Sequence, residues 1–478
     1  MTRASESNNP GRHEPDEKVR QLQRKLYVAA KQQEERRFHA LYDRMWRSDV
    51  LHEAWERVKR NKGAAGVDGI TLEAVEQYGV EKLLNELRDE LQAGEYRAPP
   101  VLRRYIPKAD GKQRPLGIPT VKDRVVQMAA KLVLEPIFEA DFLPSSFGFR
   151  PRRSTLQALE TIRETVNAGS HHVLDADIRD CFGTIDQMVL MERVSRRVCD
   201  RRVLKLLRGW LQAGVMEDGT YSETVSGTPQ GGVISPLLSN IYLHFLDTVW
   251  QRQCAGIGKL VRYADDFVIL CRSREAVEEA ERRVRIIFER LKQTLHPEKT
   301  RRVDLTDGKE GFDFLGCHLH MRMSGKLWEE QRIRRYYLQR WPSKRNMNKV
   351  RTRVKTLTDS RRDGVKDVDV LIRDLNPVLR GWGQHFSTGN AARKFLALDK
   401  YVVQRLNMFR WRRHRRHAKP GQRIHWTRED YEARGLYRLR GTVRYPKRSM
   451  LHHEVPPVSR VRETRTHGLK GGGGDRAA

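Results

Sequence analysis

The chain has 478 residues, 92 of them Lys or Arg against 61 Asp or Glu, for a formal charge of +31. Hydrophobic residues make up 38% and charged residues 32%, and no run approaches the ~18 apolar residues that a membrane-spanning helix needs. With 9 Trp, 14 Tyr and 14 Phe to fill a core, wholesale disorder is excluded, and the positive excess points to a polyanionic partner, nucleic acid first.

Residues 1–17 read as disordered, since Asn8, Asn9, Pro10, Gly11 and Pro15 break any helix, and they lack the apolar stretch of a secretory signal. From Lys18 to about Lys62 apolar residues recur at helical spacing: Leu22, Leu26, Ala29 and Ala30, then Phe38, Leu41, Tyr42, Met45 and Trp46. A second helix is expected over Leu72–Gln92, ending at Gly94. Residues 101–106 are extended before a turn at Pro107–Gly111, a hairpin pattern, and Asp123–Phe138 is helical again.

The middle third mixes the two periods. His171–Ile178 reads as a strand and Gln187–Cys199 as a helix. Val215–Val225 reads as a hairpin turning at Asp218-Gly219, and Val233–Trp250 as a long helix. Leu260–Cys271 holds two β-rich runs, Glu275–Leu291 is helical, and Phe312–Leu319 is another strand. This is an α+β pattern without a regular βαβ repeat. After residue 320 the composition shifts. Residues 322–355 carry a net +10 and residues 401–450 a net +12, with amphipathic helices expected over Val368–Leu379 and Phe395–Phe409. The five cysteines (Cys181, Cys199, Cys254, Cys271, Cys317) are at least 17 residues apart, which argues against a structural zinc site or a disulfide framework, and a cytoplasmic protein is the default.

Four stretches bear on chemistry. Tyr263-Ala264-Asp265-Asp266 sets two carboxylates between apolar runs; a solvated turn is the plain alternative. The strand Val173–Ile178 carries Asp175 and Asp177 on one face, where charges are costly without a metal or a cation. Asp177 and Asp265 are the pair that would hold divalent metals between a primer hydroxyl and a nucleotide phosphate. Ser226–Gly232 is a Gly-rich loop before a helix, weak alone because such loops are frequent. Tyr105–Pro115 puts Lys112 and Arg114 on a hairpin arm, able to grip a triphosphate or simply solvated.

In this order the blocks resemble the reverse transcriptases encoded by group II introns, over about residues 38–415. Phe38–Thr71 looks like the family's extra N-terminal block, Tyr105–Pro119 and Ser146–Pro151 like its first two polymerase blocks, and Asp175–Asp186 like the first catalytic block. Ser226–Leu238, Tyr263–Phe267, Leu295–Thr300 and Phe312–Gly316 match the rest, while residues 371–411, with Leu379-Arg380-Gly381-Trp382 and Leu398-Asp399, resemble the maturase or thumb domain.

The resemblance implies a right-hand polymerase: an N-terminal extension (1–37, partly disordered), fingers and palm (38–320), an α-helical thumb or maturase domain (321–415), a basic nucleic-acid-binding segment (416–450) and a flexible tail (451–478). It implies two Mg²⁺ ions at Asp177 and Asp265, with Asp266 less direct and Ile178 in the same site; Asp175 stays ambiguous. Phe182, five residues after Asp177, would bar a 2′-hydroxyl, or else is a core Phe. Pro229, Gln230 and Gly231 would lie beneath the nascent base pair, and Lys112 and Arg114 over the phosphates. Tyr263, Phe314, Leu315 and Gly316 would hold the primer end, and Lys299 would protonate pyrophosphate or contact RNA. Arg410, Arg412, Arg413, Arg415 and Arg416 would contact RNA. Trp341, Trp382, Trp411 and Trp426 would stack on bases or anchor thumb helices, the latter favoured for Trp382.

The implied function is copying intron RNA into cDNA and binding that RNA to promote splicing and mobility. The implied partners are group II intron RNA, an RNA template with a DNA primer, target DNA and dNTPs, in a bacterial cytoplasmic or nucleoid ribonucleoprotein, with a homodimer left open and no membrane. Many family members end in an H-N-H endonuclease with paired cysteines; no cysteine follows Cys317 here, so that module is expected to be absent and priming to use an existing 3′ end. The alternatives are a splicing-only RNA chaperone and another reverse transcriptase class (retron, diversity-generating or phage-defence).

Overall fold

The computed structural model describes residues 14–107, 111, 113–223, 227, 231–323, 325–332, 334, 336–359, 367–414 and 426–444, with backbone alone at 14–16, 325–327 and 413–414. Lys112, Pro229, Gln230, Arg415, Arg416 and the tail from residue 451 lie outside the described residues.

The first part is mostly helical: α1 (Glu14–Gln32), α2 (Tyr42–Met45), α3 (Ser48–Arg60), α4 (Leu72–Tyr78) and α5 (Val80–Ala93). The single helix expected over Leu72–Gln92 is broken at Gly79, whose φ of 106° no helix accommodates. The hairpin β1 (Val101–Pro107) and β2 (Gln113–Ile118) follows as expected, then α6 (Val121–Glu139), buried along almost its whole length. α1 is not a loose extension: Val19, Leu22, Leu26 and Ala30 are buried in the same core as α3 and α6.

Next come α7 (Thr155–Asn167), β3 (His172–Asp177), α8 (Gln187–Ser195), α9 (Arg201–Gln212), the short hairpin β4 (Val215–Glu217) and β5 (Thr220–Ser222), and α10 (Ser235–Val249). β6 (Gly258–Tyr263), β7 (Asp266–Cys271), α11 (Arg274–Arg290) and β8 (Arg301–Asp304) complete the palm. Its antiparallel sheet has the order β6-β7-β3-β8. Strand alternation splits the sheet between two cores. Leu174, Ala176, Leu260, Phe267 and Ile269 enter the first, while Val173, Val261, Val268 and Leu270 enter the second.

The second core is completed by β9 (Gly311–Phe314), β10 (Cys317–Met323), α12 (Gly325–Gln331), β11 (Tyr336–Pro342), α13 (Lys344–Leu357), α14 (Val368–Phe386), α15 (Ala392–His414) and α16 (Arg428–Ala433). The strand expected over Phe312–Leu319 is two strands, because Leu315 (φ 48°) and Gly316 (φ 80°) form a turn. The domain boundary expected at residue 320 falls inside β10, in the sheet β9-β10-β11. Trp382 is buried in this core, and residues 426–444 dock on the thumb helices through buried Tyr431, Leu436 and Leu439.

Candidate active site

Antiparallel register places Asp177 of β3 directly across from Asp266 of β7, and Tyr263 of β6 across from Asp266 on the other side. Opposed residues share a face, so the palm face that is apolar at Val268 and Val173 turns acidic at its open end, with Asp175, Asp177 and Asp266. Asp265 stands in the turn between β6 and β7. Burial raises its carboxyl most and the Asp177 charge adds to that, while a turn N–H, Arg114 and Arg262 pull it back. Asp266 is reached by solvent, yet the surrounding protein, then the carboxylates of Asp265, Asp177 and Asp175, hold it above the ordinary range.

Two cations face this acidic end. Lys299 Nζ donates to Asp177 Oδ2 at 2.7 Å, and an Arg301 Nη to Asp175 Oδ2 at 3.0 Å. Asp175 is thereby occupied by a structural partner. The side chain of Ile178 is buried. Its backbone bridge to Leu295 uses the carbonyls of Thr294 and Asp177, which leaves the Ile178 carbonyl on the opposite side, toward β7. Among the described residues, no group of three or more His, Cys, Asp or Glu side chains is arranged as placed to hold a metal ion.

The turn rests on a residue that sequence reasoning missed. Arg262 is fully buried and binds Asp247 through Nε and Nη2, at 2.8 and 2.5 Å. It also donates to Asn240 Oδ1, Ser146 Oγ and, at 2.8 Å, the carbonyl of Ala264. Ala264 has φ 59°, so a strained residue immediately precedes Asp265, with its carbonyl tied to Arg262. Gly148 packs so closely that a Cβ there would strike the Ala264 backbone nitrogen.

On the fingers side, exposed Arg114 of β2 acts electrostatically on Asp265. Gly231 (φ 123°) lies on Gly117 of the same strand, where an added Cβ would sit 2.6 Å from the carbonyl oxygen. Gly227 packs against the backbone of Phe182 and Gly183, which brings half-buried Phe182 to the Gly-rich loop. α10 lacks a side-chain cap of its own. Gln127 of α6 substitutes: its Oε1 accepts from Val233 N–H at 2.8 Å, and its Nε2 donates to buried Asp123 at 2.9 Å. Asp123 also accepts from Trp210 Nε1 and Tyr96.

Other expected contacts move. Phe314 is buried in the second core, so its side chain cannot grip a primer, and Leu315 packs on that core. Gly316 offers backbone at the turn. Tyr263 is half-buried, its ring 6.5 Å from that of Phe149. Arg410 stacks on Trp426, 3.4 Å from the ring centre, and is half-buried there rather than standing on an open face; Arg412 is exposed, and Arg413 is described in backbone only.

Two family models match the chain. One is described as reverse transcriptase (RNA-dependent DNA polymerase) and covers residues 106–319, which defines the class of the palm and fingers. The other, the group II intron maturase-specific domain, covers residues 347–428. The chain is 35% identical to Protein YkfC of Escherichia coli (strain K12) over 345 residues, 64% of this chain and 89% of that protein. It is 31% identical to the group II intron-encoded protein LtrA of Lactococcus lactis subsp. cremoris over 363 residues, 62% of this chain and 59% of that one. Solved structures with similarity include a partial Cas6-RT-Cas1–Cas2 complex (TM-score 0.34, 24% identity, 52% of this chain and 42% of that one). Telomerase from Candida albicans is another (TM-score 0.37, 14% identity, 71% and 64%). The chain belongs to the group II intron-encoded reverse transcriptase/maturases. It is an RNA-directed DNA polymerase with a maturase domain, of a family that binds intron RNA.

Proposed function

We propose that this chain extends a DNA primer on intron RNA with dNTPs, using Asp177, Asp265 and Asp266, and holds the same RNA to assist its splicing and its insertion into target DNA. The observation that carries this reading is the cross-strand pairing of Asp177 with Asp266, with Asp265 in the turn beside them. The donor chemistry suits divalent cations: three neighbouring carboxyls, two of them held above their ordinary range by burial and by adjacent carboxylates, a repulsion that a cation would relieve. Asp177, Asp265 and Asp266, with the Ile178 carbonyl, would hold two Mg²⁺, which when bound activate the primer 3′-hydroxyl and stabilise charge on the departing pyrophosphate.

The chain's own groups do the rest. Arg114 binds triphosphate oxygens. Gly231 lies under the new base pair, where a side chain at 231 would collide with Gly117. Phe182 fills the space a 2′-hydroxyl needs. Lys299, which pairs with Asp177, donates a proton from Nζ to the leaving group in this reading. Tyr263 and the Leu315-Gly316 backbone position the primer end. We place its action in the bacterial cytoplasm or nucleoid, where intron transcripts and target DNA meet.

Primer extension on poly(rA)/oligo(dT) with Mg²⁺ tests the polymerase; no dNTP incorporation would leave the splicing-only chaperone. Splicing of the flanking intron RNA at low Mg²⁺ tests the maturase, and equal rates with and without protein would sink it. Phe182→Val should admit rNTPs while dNTP use persists, and unchanged sugar discrimination would remove the gate.

A further inference from the structure

We infer that the outward face of the β9-β10-β11 sheet is a binding site for single-stranded RNA, an inference that rests on the chain being an RNA-handling enzyme and concerns a surface outside the carboxylate site. Strand alternation sorts this sheet cleanly. Phe312, Phe314, Cys317, Leu319, Met321 and Leu338 are buried in the second core. The intervening positions, His318, His320 and Arg322 on β10 with Gln339 and Trp341 on β11, therefore point the other way.

These side chains form one aromatic layer. His318 pairs across the strands with Trp341, and their rings are 5.3 Å apart; His320 lies 6.0 Å from Trp341 and 5.9 Å from His318. Gly311 of β9 makes room for it, since a Cβ there would meet His318 Nε2 at 2.9 Å and His320 Cδ2 at 3.0 Å. Asp313 fixes the His318 ring through Nδ1 at 2.6 Å. Arg322 lays its guanidinium over Trp341, 4.7 Å from the ring centre. The β10–β11 connection repeats the theme, with Arg332 and Arg334 at 5.4 and 5.3 Å from the Trp328 ring.

Rings on a sheet face with guanidinium groups beside them suit unpaired bases and their phosphates. A duplex keeps its base faces stacked and would meet only the cations. Gln339 and the imidazoles supply polar edges for a 2′-hydroxyl, which favours RNA over DNA. The layer adjoins the palm: the Asp313 charge is felt at Asp175.

Fluorescence anisotropy of the full-length chain with labelled oligo(U) of about ten nucleotides tests the site, because one base stacked on an aromatic ring is worth roughly 1–3 kcal/mol, about five- to more than a hundredfold. Trp341→Leu and His320→Ala should each weaken binding about fivefold or more, and Trp341→Phe, which keeps a ring, should stay close to the parent. Arg322→Gln should lower the slope of log affinity against log salt by about 1. Binding of His320→Ala and Trp341→Leu within about twofold of the parent overturns the site. So does equal weakening toward an RNA duplex, and oligo(dT) bound as tightly as oligo(U) overturns the assignment to RNA. Thermal melts of each variant separate lost binding from lost folding. Primer extension by the unmodified chain is scored separately, so failure of the carboxylate site and failure of this surface are told apart.

Discussion

Two hairpin turns flank the place where a primer end would sit, and they are held in different ways. The β6–β7 turn carries Asp265 and is tied through the Ala264 carbonyl to Arg262, whose partners Asp247, Asn240 and Ser146 all belong to the palm and its adjoining loop. The β9–β10 turn, Leu315-Gly316, is tied through the Gly316 carbonyl to the N–H of Ser343 (3.0 Å) and Nδ2 of Asn346 (2.9 Å), at the start of thumb helix α13. The Asp265 turn is thus tied to palm residues and the loop that adjoins them. The Leu315-Gly316 turn is tied to the first residues of α13 as well as to its own sheet.

The largest effect should come from the carboxylates themselves. Asp265→Asn keeps the size and the turn but removes a charge, and dNTP incorporation on poly(rA)/oligo(dT) should fall on the order of a thousandfold or more, with filter binding of intron RNA nearly unchanged. A loss under about tenfold would remove Asp265 from the chemistry. Next is the support beneath it. Arg262→Met leaves Asp247 buried without its partner, a change that typically costs about 3–5 kcal/mol. Urea unfolding should show a lowered midpoint, and what folds should be catalytically defective while still binding primer–template. Normal stability in that variant would mean that the buried pair does not set the turn.

A third support, in the fingers, makes a pH prediction. Asp123 is fully buried, and that burial pushes its carboxyl up to about 6, against hydrogen bonds from Tyr96, Trp210 and Gln127 that favour the charged form. The folded state therefore keeps this proton where the unfolded chain, near 3.9, has lost it. Stability from this group is complete below about pH 4, declines as pH rises through about 6, and is flat above, with a total on the order of 2–3 kcal/mol. The difference between wild type and Asp123→Asn in urea midpoints from pH 4 to 7 isolates it. A flat difference curve would show that Asp123 stays ionised throughout.

The geometry around Asp265 is legible in the sequence, because Tyr263 to Asp266 is contiguous and Asp177 lies on an alternating strand. The sequence does not show Arg262 as their support. An arginine beside a turn reads as surface, and its partner Ser146 is 116 residues away. Gln127 capping a helix 106 residues on is hidden for the same reason. The side chain of Phe314 is buried because its neighbours Phe312 and Leu319 share the core face, an alternation legible in the sequence. Gly79 and Leu315-Gly316 each break an element that periodicity joins, because hydrophobic spacing does not register a positive φ. α7 carries a sequence signal, the Ser154 and Gln157 of a capping box.

The smallest effect sharpens the comparison most. Asn346→Ala removes one of the two bonds to the Gly316 carbonyl and leaves that of Ser343, so a net loss of about 1 kcal/mol is expected at the primer turn. The palm turn shares no partner with Asn346. The Michaelis constant for primer–template should therefore rise several-fold, with kcat and the constant for dNTP close to wild type. Arg262→Lys should give the opposite split, with kcat reduced and primer affinity kept, because a lysine satisfies the charge of Asp247 but cannot also reach Ala264, Asn240 and Ser146. If both variants shift the same parameter, the two turns move as one body, and the thumb does not address the primer end independently of the catalytic aspartates.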